Sequence, residues 1–168
     1  MGQIDILRYE VEMLPERKLV GKCYTNADRD EHGSFAGKWD EWIEAQACLP
    51  LTPLLVDAIS NDILGFMRMN NGVFEYWIGY FCLPDAIAPP GYSELMLPPS
   101  KIAVVYLRGK NGDREIYGMH DACVAYLQRQ GVQLVCEFSF EFECYNCTRF
   151  CTPDSEGCII LDYGIAMQ

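Results

Sequence analysis

The chain writes one short pattern twice. Residues 13–21 read MLPERKLVG and residues 96–104 read MLPPSKIAV. Met13, Leu14, Pro15 and Lys18 recur as Met96, Leu97, Pro98 and Lys101, an offset of 83 in a chain of 168. A pattern repeated at half the chain length predicts a duplicated structural unit, with the two stretches serving as the same strand in each copy. A Pro there suits an edge, or a bend between two short strands.

Each half reads alike for period. In the first, residues 4–12 alternate as a strand and KLVGKCYT (18–25) continues extended. GSFAGKWDEWIEAQACL follows, with Phe35, Trp39, Trp42 and Ile43 at helical spacing, Ser34 as a cap and Pro50 as a stop. ILGFMRM and VFEYWIGYFCL then form a hairpin around Asn70-Asn71-Gly72. In the second half, SELMLPPSKIAVVYLRG (93–109) is extended and Asn111-Gly112-Asp113 is a turn. Residues 114–131 make a helix with Ile116, Met119, Cys123 and Leu127 on one stripe, ended by Gly131. Residues 135–145 and 158–167 make a second hairpin. The expectation is one domain over 1–168, built of two β-α-β-β repeats at about 4–83 and about 91–167.

Half of the residues are hydrophobic, enough for a real core. No run of eighteen apolar residues marks a membrane span, and the start shows no secretory pattern. With nine cysteines, an odd number, the reading is of reduced thiols in a cytoplasmic protein. A net charge of −11 with scattered Lys and Arg argues against direct binding to nucleic acid, which requires a basic stripe.

Four segments carry a resemblance: FEYWIGYF (74–81), APPGYSELMLPPSKIAVVYLRG (88–109), FEFECYN (140–146) and IILDYGIAM (159–167). In this order and spacing the chain resembles the GyrI-like proteins, whose domain also serves as the effector-binding domain of multidrug-responsive transcription regulators. The family's Phe-Glu-x-Tyr motif falls on Phe142, Glu143, Cys144 and Tyr145. The resemblance implies an α+β fold of two β-α-β-β units with pseudo-twofold symmetry. It implies antiparallel sheets, helices on one side and a ligand cleft between the repeats. It also implies that Glu143 sits in the pocket and pairs with an aromatic or cationic xenobiotic. A stand-alone branch resembles hydrolases of strained, cyclopropane-bearing DNA-alkylating compounds. The family name also points to inhibition of DNA gyrase through a protein partner. No segment of the sequence reads as the regulators' DNA-binding domain.

The residues themselves support an acid among aromatics. Over 136–145, Cys136, Phe138, Phe140, Phe142 and Cys144 alternate with Glu137, Ser139, Glu141, Glu143 and Tyr145. The even face is expected under the helices. Glu137 and Glu141 are expected on a solvated face, and Glu143, last beside Tyr145, in the site. An ionised carboxylate walled by rings serves a bound cation. A desolvated one has a raised pKa and becomes a base for water. Binder and hydrolase therefore both stay open. The candidate ligand-binding residues are Glu143, Tyr145, Trp77, Tyr80, Tyr106, Tyr163 and Trp39, with Glu143 catalytic if there is turnover. At an offset of 83, Tyr80 answers to Tyr163. Gly79 leaves space for a ligand or marks a bulge.

Cys144, Cys147, Cys151 and Cys158 are spaced C-x2-C-x3-C-x6-C, which fits neither zinc nor iron–sulfur ligation. The expectation is no metal and no cofactor. His32 and His120 lack a nucleophile motif such as G-x-S-x-G.

Overall fold

The computed structural model describes residues 2–56, 58, 60–110, 112, 114–135 and 139–168. The expected turn residues Asn111 and Asp113 and the strand residues Cys136, Glu137 and Phe138 lie outside these. The chain divides into two compact units, one of residues 15–99 and one of residues 1–14 with 100–168. Each is an α+β unit with an antiparallel four-stranded ladder.

In the 15–99 unit the elements are β2 (Arg17–Thr25), α1 (Ala36–Glu44), β3 (Ile63–Asn70), β4 (Val73–Cys82) and β5 (Ser93–Leu97). Their sheet order is β3-β4-β2-β5. The other unit holds β1 (Asp5–Leu14), β6 (Ser100–Lys110), α2 (His120–Arg129), β7 (Phe140–Tyr145) and β8 (Cys158–Ala166), ordered β1-β6-β8-β7. The two orders match once β5 is set against β1. The repeated MLP stretch explains this. Leu14 pairs with Ser100 and Leu97 with Arg17, the same register on both outer strands. So β1 lies along β6 and β5 along β2. Arg17, fully buried, donates to the carbonyls of Pro15 and Pro98 and stacks its guanidinium 4.5 Å from the Phe81 ring. It ties both prolines of the repeat to one cation.

The β3–β4 hairpin turns where Asn-Gly predicts it. Asn71 and Gly72 both have positive φ, 49° and 80°, the conformation of a tight primed turn. In α1 the expected stripe is only partly right. Trp42 is buried, but Ile43 is 66% exposed. The helix ends at Glu44 and Gln46 takes a φ of 49°, so Pro50 lies in a following 3-10 turn and is not the stop. The second helix begins late, at His120, after a 3-10 turn over Arg114–Gly118. Its stripe buries Cys123 and Leu127, as the spacing predicts.

The strand registers correct one equivalence. Gly79 faces Gly21 across β2–β4, and Gly164 faces Val104 across β6–β8. The offset from β4 to β8 is thus 85 (Gly79 to Gly164), two more than that from β2 to β6. Tyr163 therefore answers to Ile78, not Tyr80. The reason is two additional residues between β6 and β8, which the MLP repeat cannot register.

Gly79 marks neither a bulge nor a ligand space, because the β2–β4 ladder runs unbroken from Lys18–Cys82 to Thr25–Glu75. A Cβ on Gly79 would lie 2.3 Å from the Val20 carbonyl oxygen, and one on Gly21 2.0 Å from that of Ile78. Backbone cannot yield as a side chain does. Gly79→Ala is expected to destabilise by at least about 3 kcal/mol, the range of severe overpacking. A denaturant midpoint within error of wild type would refute this. No helix among the described residues is long and apolar enough to cross a membrane.

Candidate functional site: buried acids beneath the second helix

The site is built on β7 and β8. Phe142 pairs with Gly164, Glu143 with Tyr163 and Cys144 with Asp162. Residues 141, 143 and 145 thus share a face with Tyr163, and His120, the first residue of α2, stands over that ring at 6.2 Å between centroids. The glutamate face is the one under the helix, the reverse of the expected orientation. Phe140 and Phe142 turn to the opposite face, where the Phe142 ring lies over Gly164. Alternation shows that two faces differ but not which faces the helix. Here both are covered.

Glu141 is accordingly not solvated. Glu141 and Glu143 are each 6% exposed. The Tyr145 hydroxyl donates to the Glu143 carboxylate. Desolvation nevertheless dominates and pushes the Glu143 carboxyl up to about 7, with the Glu141 charge adding to the rise and the Tyr145 hydrogen bond opposing it. Glu141 is also raised, first by burial. His120 and a hydrogen bond with Tyr163 work against that rise. His120 Nδ1 lies 2.5 Å from Glu141 Oε2 and 3.3 Å from the Tyr163 hydroxyl. Tyr163, 3% exposed between these acids, has its hydroxyl held well above the usual phenol range by burial and by the Glu141 charge. His120, Glu141, Glu143, Tyr145 and Tyr163 therefore form one connected polar cluster in an otherwise apolar layer.

The other unit supplies an internal comparison. Matching registers set Ile63 where Glu141 stands, Gly65 where Glu143 stands, Met67 where Tyr145 stands and Ile78 where Tyr163 stands. Those matched positions are apolar: Ile78 packs with Val20, Phe35, Trp42 and Leu51, and Ile63 and Met67 pack against the same cluster. The architecture thus closes without acids at these positions. Burying two carboxylates costs stability.

The remaining candidates are placed elsewhere. Tyr80 is buried in the cluster around Ile78, and Trp39 packs against that cluster with its indole N–H donating to the Tyr76 hydroxyl at 2.9 Å. Trp77 is buried and donates to Glu75 at 3.1 Å. These three belong to the 15–99 unit. Tyr106 is in the same unit as Glu143 but on the opposite sheet face, where it pairs with Asp162. Its hydroxyl donates to Glu10 at 3.0 Å, and the Arg8 and Arg149 guanidinium groups stand 4.1 and 5.4 Å from its ring. Burial and the bond to Glu10 push that phenol up to about 12. His120 and Glu141 were missed by sequence reasoning. A signal existed for His120, which lies three residues before Cys123 on the same helix stripe. Nothing in an alternating strand distinguishes a buried Glu141 from a solvated one.

A cavity of about 510 Å³ opens beside the cluster, within the same unit. Its wall includes His120, Val124 and Gln128 of α2, Leu134, Glu141 and Ile165. Among the described residues of that wall, Glu141 is the carboxylate. For metals, ligand atoms of Asp154, Glu156 and Cys158 lie within 4.8 Å of one another. Arg108 already bridges both carboxylates, so this loop is clasped by a cation of the protein itself. The described cysteines are free thiols. Cys147 and Cys151 are exposed, whereas burial pushes Cys82 up to about 11 and Cys123 up to about 12. Reducing preparations are expected to hold no stoichiometric zinc. Zinc by elemental analysis that is lost on Cys147→Ser would overturn that.

No family model matches the chain and no curated protein matches it. Solved structures do. SAV2435, solved bound to tetraphenylphosphonium, aligns at a TM-score of 0.71 and 18% identity over 96% of this chain and 94% of that one. A putative bacterial transcription regulation protein from Staphylococcus aureus MU50 aligns at 0.62 and 16% identity, covering 96% and 99%. The EcmrR C-terminal domain aligns at 0.55 and 8%, covering 96% and 97%. At these identities the likeness is one of fold. The chain has the fold of GyrI-like and effector-binding domains.

Proposed function

We propose that the protein binds an aromatic, cationic small molecule, with the acid pair Glu141 and Glu143 supplying the counter-charge. The observation that carries this reading is the polar cluster itself, set at positions that are apolar in the companion unit. A buried acid held near neutrality is costly to ionise alone. A cation repays that cost by Coulomb attraction in a low-dielectric layer. Tyr145 and Tyr163 hold the acids in place through their hydroxyls. The net charge of −11 favours a cation over a polyanion such as nucleic acid. The fold neighbour solved with tetraphenylphosphonium supports the ligand class. Titration calorimetry with tetraphenylphosphonium at pH 8 tests the reading. Saturable binding is expected, and its absence together with absence of binding by other aromatic cations would end it.

A second reading rests on the Glu143 carboxyl at about 7, a value suited to a general base. On it, Glu143 activates water against a strained electrophile. Glu143→Gln would then retain substrate and lose turnover by roughly 10²–10⁴. Turnover unchanged by Glu143→Gln, or none against a panel of cyclopropane-bearing electrophiles, would dismiss it.

A further inference from the structure

We propose that His120 is a general base at the cavity beside α2, held in place by Glu141 and Tyr163, and that it hydrolyses neutral esters of aromatic alcohols there. Both the base and the bond differ from those of the two readings above, so the inference goes beyond them and stands or falls separately.

The arrangement is the base-and-orienter half of a hydrolytic triad. His120 Nδ1 lies 2.5 Å from the Glu141 carboxylate and 3.3 Å from the Tyr163 hydroxyl, which is itself a hydrogen-bond partner of Glu141. Glu141 and Tyr163 are 6% and 3% exposed, too deep for a ligand to meet. They act on the imidazole instead. A carboxylate that accepts the Nδ1–H fixes the tautomer and leaves the lone pair on Nε2. That nitrogen has no hydrogen-bond partner among the described residues. The His120 side chain is 41% exposed and forms part of the cavity wall. A buried carboxylate behind an accessible imidazole orients the ring and stabilises the imidazolium formed when it takes a proton. His32 shows the contrast. It lies 3.5 Å from Glu31, but the two side chains are 70% and 87% exposed, so nothing holds that pair.

The rest of the wall defines the substrate. Val124, Leu134 and Ile165 offer an aryl group a surface to bury, in a volume of about 510 Å³. Gln128 and Gln133 line the same cavity, and their side-chain amides hold no hydrogen bond to the described residues. Amide N–H groups suit a carbonyl oxygen. Among the described residues the wall has no Lys or Arg, and the chain carries a net charge of −11. Anionic phosphate esters are therefore disfavoured. Neutral donors give an oxyanion modest support, which suits an aryl ester with its good leaving group better than an amide. In the reaction, Nε2 takes a proton from water as the water oxygen bonds to the ester carbonyl carbon. The Glu141 charge stabilises the imidazolium. The tetrahedral intermediate then collapses, the bond to the aryl oxygen breaks, and the proton on Nε2 passes to that oxygen. The products are a carboxylic acid and an aromatic alcohol, and His120 is restored.

The experiment follows release of 1-naphthol from 1-naphthyl acetate by the full chain at pH 7.5. Wild type is expected to turn over and to saturate with substrate. His120→Ala is expected to lose turnover by roughly 10²–10⁴, the scale of a general base, and to regain part of it saturably with added imidazole. His32→Gln should match wild type. Glu141 is a positioning residue, so Glu141→Gln should lower kcat by at least about tenfold with KM nearly unchanged, and imidazole should not restore it. No saturable turnover in wild type overturns the inference and leaves the cation reading untouched. Turnover that survives in His120→Ala, or that falls equally in His32→Gln, overturns the assignment to His120. A stoichiometric burst of naphthol would put the acyl group on the protein and overturn attack by water. The tautomer tests the geometry in wild type, whatever the fate of the variants. Nitrogen-15 NMR at pH 8 should show the neutral His120 ring carrying its proton on Nδ1, and a proton on Nε2 would overturn the inference.

Discussion

Glu143→Gln is expected to make the protein more stable at pH 8 and to change it little at pH 4. The Glu143 carboxyl is raised from an ordinary 4.5 to about 7 by burial. Between those values the folded state holds a proton that the unfolded chain has released. Stability attributable to this group is therefore fully present below pH 4.5, falls as pH rises and is lost by about pH 7. A tenfold difference in proton affinity between folded and unfolded chain is worth about 1.4 kcal/mol, so the cost at pH 8 is roughly 3 kcal/mol. Gln removes the ionisation and keeps the size. Denaturant unfolding of both proteins from pH 4 to pH 8 should show curves that converge in acid and diverge by roughly this amount above pH 7. A variant less stable than wild type at pH 8 would mean that the buried charge is compensated in the folded state. The acid would then carry no stored cost for a ligand to repay.

Binding of a permanent cation should depend on pH in the opposite sense. Tetraphenylphosphonium carries no titratable group, so any pH dependence belongs to the protein. Below pH 7 the ligand must expel the Glu143 proton before it gains a counter-charge. Affinity should therefore rise with pH up to about 7 and level off above it. Over the acid limb it should fall by up to about tenfold per pH unit. At pH 8, Glu143→Gln should weaken the cation by about 1–3 kcal/mol, five- to 150-fold, and flatten the profile. Neutral aromatic ligands should be indifferent to both pH and substitution. A flat wild-type profile would contradict the coupling of cation and proton.

Much of this arrangement could be read in the residues, and the limits have physical causes. The Asn-Gly turn, the Cys123–Leu127 stripe and the order of elements follow from local rules of backbone conformation and period. The MLP repeat located the outer strands because their pairing is the same in both units. It misassigned Tyr163 because the inner strands have shifted by two residues, and a repeat in one strand does not constrain its neighbour. Glu143 could be singled out, since it ends the strand beside Tyr145. Its burial under α2, and that of Glu141, could not. Acids are ordinarily exposed, and the sequence pattern of a strand covered on both faces with acids on one is the same as that of a half-solvated strand. His120 could have been found, because it continues the buried stripe of its helix. The apolar companion positions Ile63, Gly65 and Ile78 become informative only when the registers are known.

At the buried acids a bound cation is expected to exchange for a proton. Proton release on binding measures this directly. Calorimetric titration of tetraphenylphosphonium at pH 7, run in two buffers of different ionisation enthalpy, counts the protons expelled. With the Glu143 carboxyl at about 7, wild type should release roughly half a proton per cation, and Glu143→Gln distinctly less. Binding that releases no proton from wild type, or the same number from Glu143→Gln, would contradict the account.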